Sequence, residues 1–358
     1  MDLERKKQAF RFSKLKGLSG KDKKIIIERF GSAACFFEAS ESDLKALELT
    51  EKSIKAIASF KKEKDYEEEF KKLLDSDIGF VSIEDDEYPL KLRSVNDPVY
   101  SLYYIGKLPG KNARSIGVVG ARKCTPYGKY LAIKTGEILG ANGIEIISGL
   151  AMGIDRYSHE GALNAGGKTF AVLGCGVNVV YPHMNWKVYE RIIETGGGII
   201  SEYPPDTKPL AGYFPQRNRI ISGLSDAVIV VEAAKKSGSL ITADFALEQG
   251  RDVFAYPGRI GDVMSEGSNN LIKQGAGIIL SPSDLLDEID ITIEKKKLFL
   301  EKGDKLVYSL LGLHPKSIDT ICNESALSLP AVIEILLSLE ARGLVGEPYR
   351  NHYIALYD

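Results

Sequence analysis

AVIVVEAAKKSGSLITADFALEQGRDVFAY, residues Ala227 to Tyr256, reads as a strand, a loop, a helix and a second strand. The run Ala227–Glu232 is apolar and β-branched without a polar alternation, the pattern of a strand covered on both faces. The segment Thr242–Gln249 has helical spacing and stops at Gly250, a natural C-terminal stop. The second apolar run, Asp252–Tyr256, follows at once. A strand that returns parallel after a helical crossover is the repeating unit of a doubly wound α/β sheet. Six more residues of the loop deserve chemistry: Lys235, Lys236, Ser237, Gly238, Ser239 and Leu240 mix cations, hydroxyls and glycine ahead of a helix. That composition offers bare N–H groups and a helix dipole to an anion. The plainer reading makes Ser239 a helix cap and Gly238 a turn.

Outward from this unit the same grammar repeats. Apolar runs at Ile116–Val119, Ile144–Ser148, Thr169–Leu173, Gly198–Ser201 and Gly277–Leu280 bring the candidate strands to seven. Helices are expected over Gly128–Leu139 and Asp155–Ala165. In such folds ligands bind beyond the carboxyl ends of the strands. The loops there are GARKCTPYG, SGLAMGID and GCGVNVVYP, each rich in glycine and in hydroxyl or cationic side chains. The segment Phe80–Ile105 is expected to add edge structure to this sheet. FPQRNRIISGL, Phe214 to Leu224, sets Arg217 and Arg219 two positions apart, beside an aromatic residue and a proline. Its alternative reading is an internal ion pair of one arginine with Glu202 or Glu232.

Composition narrows the function classes. The chain has 358 residues, 44% of them hydrophobic, and a formal net charge of −2. Length and apolar content support two or three domains, and the balanced charge requires any nucleic-acid surface to be a local patch. Cys35, Cys124, Cys175 and Cys322 show no paired spacing, and His159, His183, His314 and His352 are dispersed. Neither a disulfide framework nor a metal site is expected. No stretch reaches the about 18 apolar residues of a membrane span, and a cytoplasmic location is expected. There is no G-x-G-x-x-G after the first strand and no P-loop motif, so no nucleotide cofactor is expected. Asp155 and His159 share a helix face without a third ligand, which favours a capping aspartate and a packed histidine.

The flanks differ from the centre. Residues 1–75 carry 18 basic and 15 acidic residues, a net charge of +3, and show helical spacing in KDKKIIIERF, ESDLKALEL and EKSIKAIASF. LKGLSGKDKKIII places a glycine-bounded turn between helices, as in helix-hairpin-helix modules, whereas Leu47-Glu48-Leu49-Thr50 lacks that glycine. After the lysine-rich linker IDITIEKKKLFLEKG, three helices and a strand pair are expected, in a segment with 5 basic and 8 acidic residues from Glu301 onward. Its third helix, Leu329–Arg342, has a single cation, so a duplex-reading role is disfavoured.

GARKCTPYG, SGLAMGID, FPQRNRIISGLSDAVIVVEA, SGSLITADFALEQGR, VFAYPG and EGSNNLIKQGA, in this order across Phe80–Leu285, resemble the DNA-processing protein A family, also called DprA or Smf. The resemblance implies an extended Rossmann-like sheet over 76–289, an N-terminal helical domain of SAM or helix-hairpin-helix type over 1–75, and a C-terminal winged helix over 300–358. It further implies a non-enzymatic protein that binds single-stranded DNA, forms a homodimer and loads the RecA recombinase during natural transformation. By the family pattern the DNA-binding residues are Arg122, Ser148, Gly149, Lys208, Phe214, Arg217, Asn218, Arg219, Ser237, Gly238 and Ser239. Two departures stand out: Ala121 where many relatives have serine, and Leu210-Ala211-Gly212 without the lysine some relatives place there, with Lys208 as its substitute. The competing class is a nucleotide-binding enzyme of a related fold, phosphoribohydrolase-like, with Glu202 or Glu232 as its catalytic carboxylate.

Overall fold

The computed structural model describes residues 2–47, 49–60, 66–95, 97–282, 284–289, 302–312, 315–342 and 344–355. The chain divides into two compact units, Met1–Ile291 and Thr292–Asp358. Residues 290–301 of the lysine-rich linker and Glu48 lie outside the described residues.

In the first unit, helices α1 (Leu3–Ser13), α2 (Gly20–Phe30), α3 (Ala33–Glu38), α4 (Glu41–Lys45), α5 (Glu51–Phe60) and α6 (Tyr66–Leu74) come first. Their ends are set by sequence: Ser19 and Asp22 form a reciprocal capping box at the start of α2, and Gly31 closes it in the left-handed conformation. The sheet follows as β1 (Gly79–Ser82), α7 (Leu90–Arg93), β2 (Ser101–Gly106), β3 (Ser115–Val119), α8 (Pro126–Ala141), β4 (Glu145–Ser148), α9 (Ile154–Asn164) and β5 (Thr169–Leu173). It continues with α10 (Trp186–Glu194), β6 (Gly198–Ser201), α11 (Tyr213–Leu224), β7 (Ala227–Val230), α12 (Gly238–Glu248), β8 (Asp252–Ala255), α13 (Glu266–Lys273), β9 (Gly277–Ile278) and α14 (Leu285–Glu288).

Nine strands among the described residues form one sheet in the order β1-β2-β6-β5-β4-β3-β7-β8-β9. From β6 to β9 every neighbouring pair is parallel, and β1 and β2 add an antiparallel margin beside β6. Helices cover both faces, which is why the central strands are apolar throughout: Val118, Ile146, Val228 and Ile229 are fully buried. On one face α8 and α9 approach closely at Gly136 and Gly161, where a Cβ on either would collide with a backbone carbonyl of the other helix. On the other face α11, α12 and α13 bury Ile220, Leu224, Ala243, Ala246 and Leu271 against the strands.

The amino-terminal helices do not keep a core to themselves. Phe10 packs with Phe70 of α6 and also with Phe80 of β1 and Tyr103 of β2, at ring separations of 5.3, 5.5 and 6.5 Å. Gly20, at the glycine-bounded turn, lies against the Pro98 carbonyl and the Asp97 carboxylate, so no side chain fits there. The hairpin's first helical turn is therefore packed onto the sheet margin.

The second unit runs α15 (Lys302–Leu310), β10 (Lys316–Ser317), α16 (Ile318–Ser325), α17 (Leu329–Ala341), β11 (Val345–Tyr349) and β12 (His352–Ala355). Its strands pair antiparallel in the order β10-β12-β11, and Val307, Ile321, Val332, Leu336 and Leu339 form its core.

Candidate nucleic-acid interface

The strand order reverses at β3: the chain moves outward from β3 through β4 and β5 to β6, then returns to place β7 on the opposite side. Adjacent loops leaving β3 and β7 consequently diverge to opposite faces, and a crevice opens beyond their carboxyl ends. A cleft of about 650 Å³ lies there.

Its first wall is the β3–α8 loop, held from behind by Glu232 at the end of β7. The carboxylate accepts from the Thr125 backbone N–H at 2.8 Å and from the Thr125 hydroxyl at 2.7 Å, while Ala121 N donates to the Glu232 carbonyl at 2.7 Å. Thr125 in turn caps α8, with Pro126 in the first helical turn. Gly153 has φ +76°, and a Cβ on it would collide with the Ala121 carbonyl, so glycine is required for α9 to meet this loop. With its backbone so pinned, the loop leaves Arg122 exposed, its guanidinium carbon 5.6 Å from the Phe214 ring centre. Phe214, in the first turn of α11, is half-buried and lies 5.6 Å from Tyr181, which is 47% exposed.

The opposite wall is the β7–α12 loop and the start of α12. The helix begins at Gly238, four residues earlier than its spacing predicts, because Ser237 and not Ser239 is the N-cap; the Ser237 hydroxyl accepts from Ser239 N. A Cβ at Gly238 would meet no other part of the protein, so the helix opens onto free space at its first residue. Lys235 and Lys236 are exposed beside it, and Asn218 from α11 donates to the Gly238 carbonyl at 3.2 Å.

The floor is ionic. Arg217 is 4% exposed and donates to the Gly149 carbonyl at 2.7 Å and to the Val172 carbonyl, tying the ends of β4 and β5 to α11. Asp155, also buried, accepts from Gly149 N at 3.1 Å. Burial pushes the Asp155 carboxyl up and the Arg217 guanidinium down from their ordinary values, and the opposite charge of each holds the other back. His159 is fully buried with Nδ1 2.6 Å from the Thr169 hydroxyl; burial, reinforced by Arg217, depresses it to about 3. It is a neutral packed histidine.

Seven of the expected residues thus come together around the cleft: Arg122, Phe214, Arg217, Asn218, Ser237, Gly238 and Ser239. Lys208 is exposed, but its neighbour Pro209 and then Ala211 line the cleft in its place. Ser148 is fully buried and donates to the Val118 carbonyl at 2.6 Å, and Gly149 is packed against the Arg217 guanidinium, leaving both beneath the surface. Arg219 is turned away, forming a two-oxygen pair with Glu202 at 2.7 and 2.8 Å and a longer one with Asp97 at 3.5 Å. It takes the internal ion-pair reading because α11 points successive i, i+2 residues to different sides. Lys236, expected only as part of the cationic loop after β7, lines the cleft, and so does Tyr181, which the sequence did not single out; its signal was membership of the loop that follows β5. Among the charged lining residues Arg122, Arg217 and Lys236 outweigh Asp155, so the cleft favours an anion. No cluster of metal-ligating side chains occurs among the described residues.

The family model of DNA recombination-mediator protein A matches residues 79–290, a span that contains the whole nine-stranded sheet. The chain belongs to the DNA recombination-mediator protein A family. Protein Smf of Escherichia coli is 38% identical over 280 residues, covering 72% of this chain and 72% of that protein. DNA processing protein DprA of Streptococcus pneumoniae is 45% identical over 209 residues, covering 58% and 73%. The X-ray structure of the same Streptococcus pneumoniae protein superposes with a TM-score of 0.69 at 35% identity, covering 79% of this chain and 97% of that one. DNA processing protein A from Helicobacter pylori, whose structure is described for its single-stranded DNA binding mode, gives 0.53 at 32% identity, covering 58% and 94%. The family is thus described as one of recombination mediators, and its Helicobacter pylori member as a single-stranded DNA binder. The two carboxylates at strand ends have internal partners: Glu232 holds the β3–α8 loop and Glu202 pairs with Arg219. No described helix is by itself long and apolar enough to cross a membrane.

Proposed function

We propose that this protein binds single-stranded DNA without sequence preference in the β3–β7 cleft, in the DNA processing that accompanies transformation and recombination. The observation that carries the reading is the pairing of an exposed cation with two rings on one wall, Arg122 with Phe214 and Tyr181, opposite an open helix N-terminus with Lys236. Phosphates suit the cations and the helix end, and the rings take unpaired bases of any identity. Duplex DNA keeps its bases stacked on each other and gains nothing from the rings. By family likeness the protein acts in the cytoplasm as a homodimer and loads RecA onto the strand it holds. The amino-terminal helices are read as a SAM or helix-hairpin-helix-like module, and the second unit, with three helices and an antiparallel hairpin, as a winged helix with an interaction role.

Fluorescence anisotropy with labelled oligothymidine and a matched duplex tests the reading, beside an AMP-hydrolysis assay on the same protein and on Glu232→Gln. Strong preference for the single strand and no turnover are expected. Equal binding of both forms, or turnover that Glu232→Gln abolishes, overturns it in favour of a nucleotide-hydrolysing enzyme.

A further inference from the structure

The connection from β5 to α10 carries a second aromatic feature that continues from the cleft wall. Tyr181 lines the cleft, and only Pro182 separates it from His183, so the two Cα atoms lie within about 7 Å of each other. From His183 three rings form a ladder: His183 lies 6.2 Å from Trp186 at 17°, and Trp186 lies 5.7 Å from Tyr189 at 12°. The ladder is rooted in the core, since Tyr189 is buried and its hydroxyl donates to the Val177 carbonyl at 2.8 Å. At its outer end it is open: His183 is exposed, Trp186 is 43% exposed and Met184 62%. Fully buried Asn185 fixes the connection by donating to the Leu150 and Ala151 carbonyls at 2.8 and 3.2 Å, so the rings are presented in place and not on a loose loop. Lys187 is an exposed cation beside Trp186, and the exposed Glu190 lies one turn further along α10.

We infer that this ladder is an outer station for single-stranded DNA, where a strand leaving the cleft past Tyr181 and Phe214 stacks a base on the His183–Trp186 rings. The inference rests on the proposed function of the cleft. Open rings with a nearby cation are the chemistry of a sequence-tolerant strand path. Such a station acts only on strands long enough to reach it.

Trp186 is the sole tryptophan of the chain, so its fluorescence reports this place alone. The full-length protein is titrated with oligothymidines of about six and about twenty nucleotides, within and beyond one typical site size. Tryptophan quenching by the long strand and not by the short one is expected. His183→Ala and Trp186→Ala each weaken the long strand about fivefold or more while leaving the short one unchanged, and Trp186→Phe, which keeps a ring, restores most of the loss. If Arg122→Ala weakens both strands, yet the long strand neither quenches Trp186 nor responds to His183→Ala, the outer station is wrong, the cleft reading stands and the rings face a protein partner. If neither strand binds the wild-type protein, both readings fall.

Discussion

Three arginines near the cleft carry the same formal charge and do three different things, and mutation separates them. Arg122 is exposed, so Arg122→Ala is expected to weaken single-strand binding by about 1.5–3 kcal/mol, as for a lost charge-assisted contact, without shifting the thermal midpoint. Buried Arg217 bridges two carbonyls and balances Asp155. Removing it strands a buried carboxylate, and Arg217→Ala should cost about 3–5 kcal/mol of folding stability, measured by urea denaturation. A loss of DNA affinity in that variant is then a consequence of unfolding. The sequence showed the spacing of Arg217 and Arg219 but not their burial, which depends on which side of α11 faces β5. His159 supplies a further expectation at this scale. Its folded pKa of about 3 lies below the ordinary 6.5, so the unfolded chain binds a proton that the folded chain refuses. Stability should therefore fall as pH drops below 6.5, by up to about 1.4 kcal/mol per pH unit, until the folded value is reached. Buried Asp155 and Glu145 and half-buried Glu84, whose carboxyls are raised, act in the opposite direction and nearer the usual carboxylate range. Denaturation midpoints of wild type and His159→Gln between pH 7 and pH 5 check this: the decline should be shallower in the variant.

Elements were more legible than side-chain roles. The apolar runs at Thr169–Leu173 and Gly198–Ser201 coincide with β5 and β6, because strands buried on both faces leave no room for polar interruption. At α12 the helical spacing pointed to Thr242, yet the helix starts at Gly238. Capping by Ser237 decides the start, and the residues between add a turn that no apolar periodicity marks. The order of strands was not legible at all, since the reversal at β3 depends on which side of the sheet the β6–β7 crossover takes. Among loops the decisive one is SGLAMGID. Gly153→Ala forces a side chain into the Ala121 carbonyl at a backbone conformation that only glycine adopts comfortably. A stability loss of at least about 1–3 kcal/mol is expected, together with weaker DNA binding in the fraction that stays folded, because Arg122 follows Ala121 directly. Near-ultraviolet dichroism and anisotropy on the same preparation distinguish the two effects.

For the whole molecule, the cleft is built entirely from residues between β3 and α13, within the unit that ends at Ile291. Ending the chain after Ile291 should therefore leave single-strand affinity unchanged within about twofold, a difference of roughly 0.4 kcal/mol. A folded truncated protein with most of its affinity lost would show that the second unit contacts DNA. Removing residues 1–75 is expected to behave differently, because Phe80 and Tyr103 would lose Phe10 as a packing partner and face water. Insoluble expression of that fragment, against soluble expression of the carboxyl-terminal truncation, is the outcome to look for.

The reversal of strand order also has a meaning during synthesis. In the finished sheet β3 is central, but on the ribosome it can pair only with β4, and its other side stays open until β7 is made about a hundred residues later. At about 5–20 residues per second, the strand SIGVV spends roughly 5–20 seconds as an uncovered edge. An apolar edge of that kind is a template for intermolecular pairing. The same topology that opens a binding cleft in the mature protein thus makes the nascent chain dependent on fast translation, low concentration or a chaperone until Val230 has emerged.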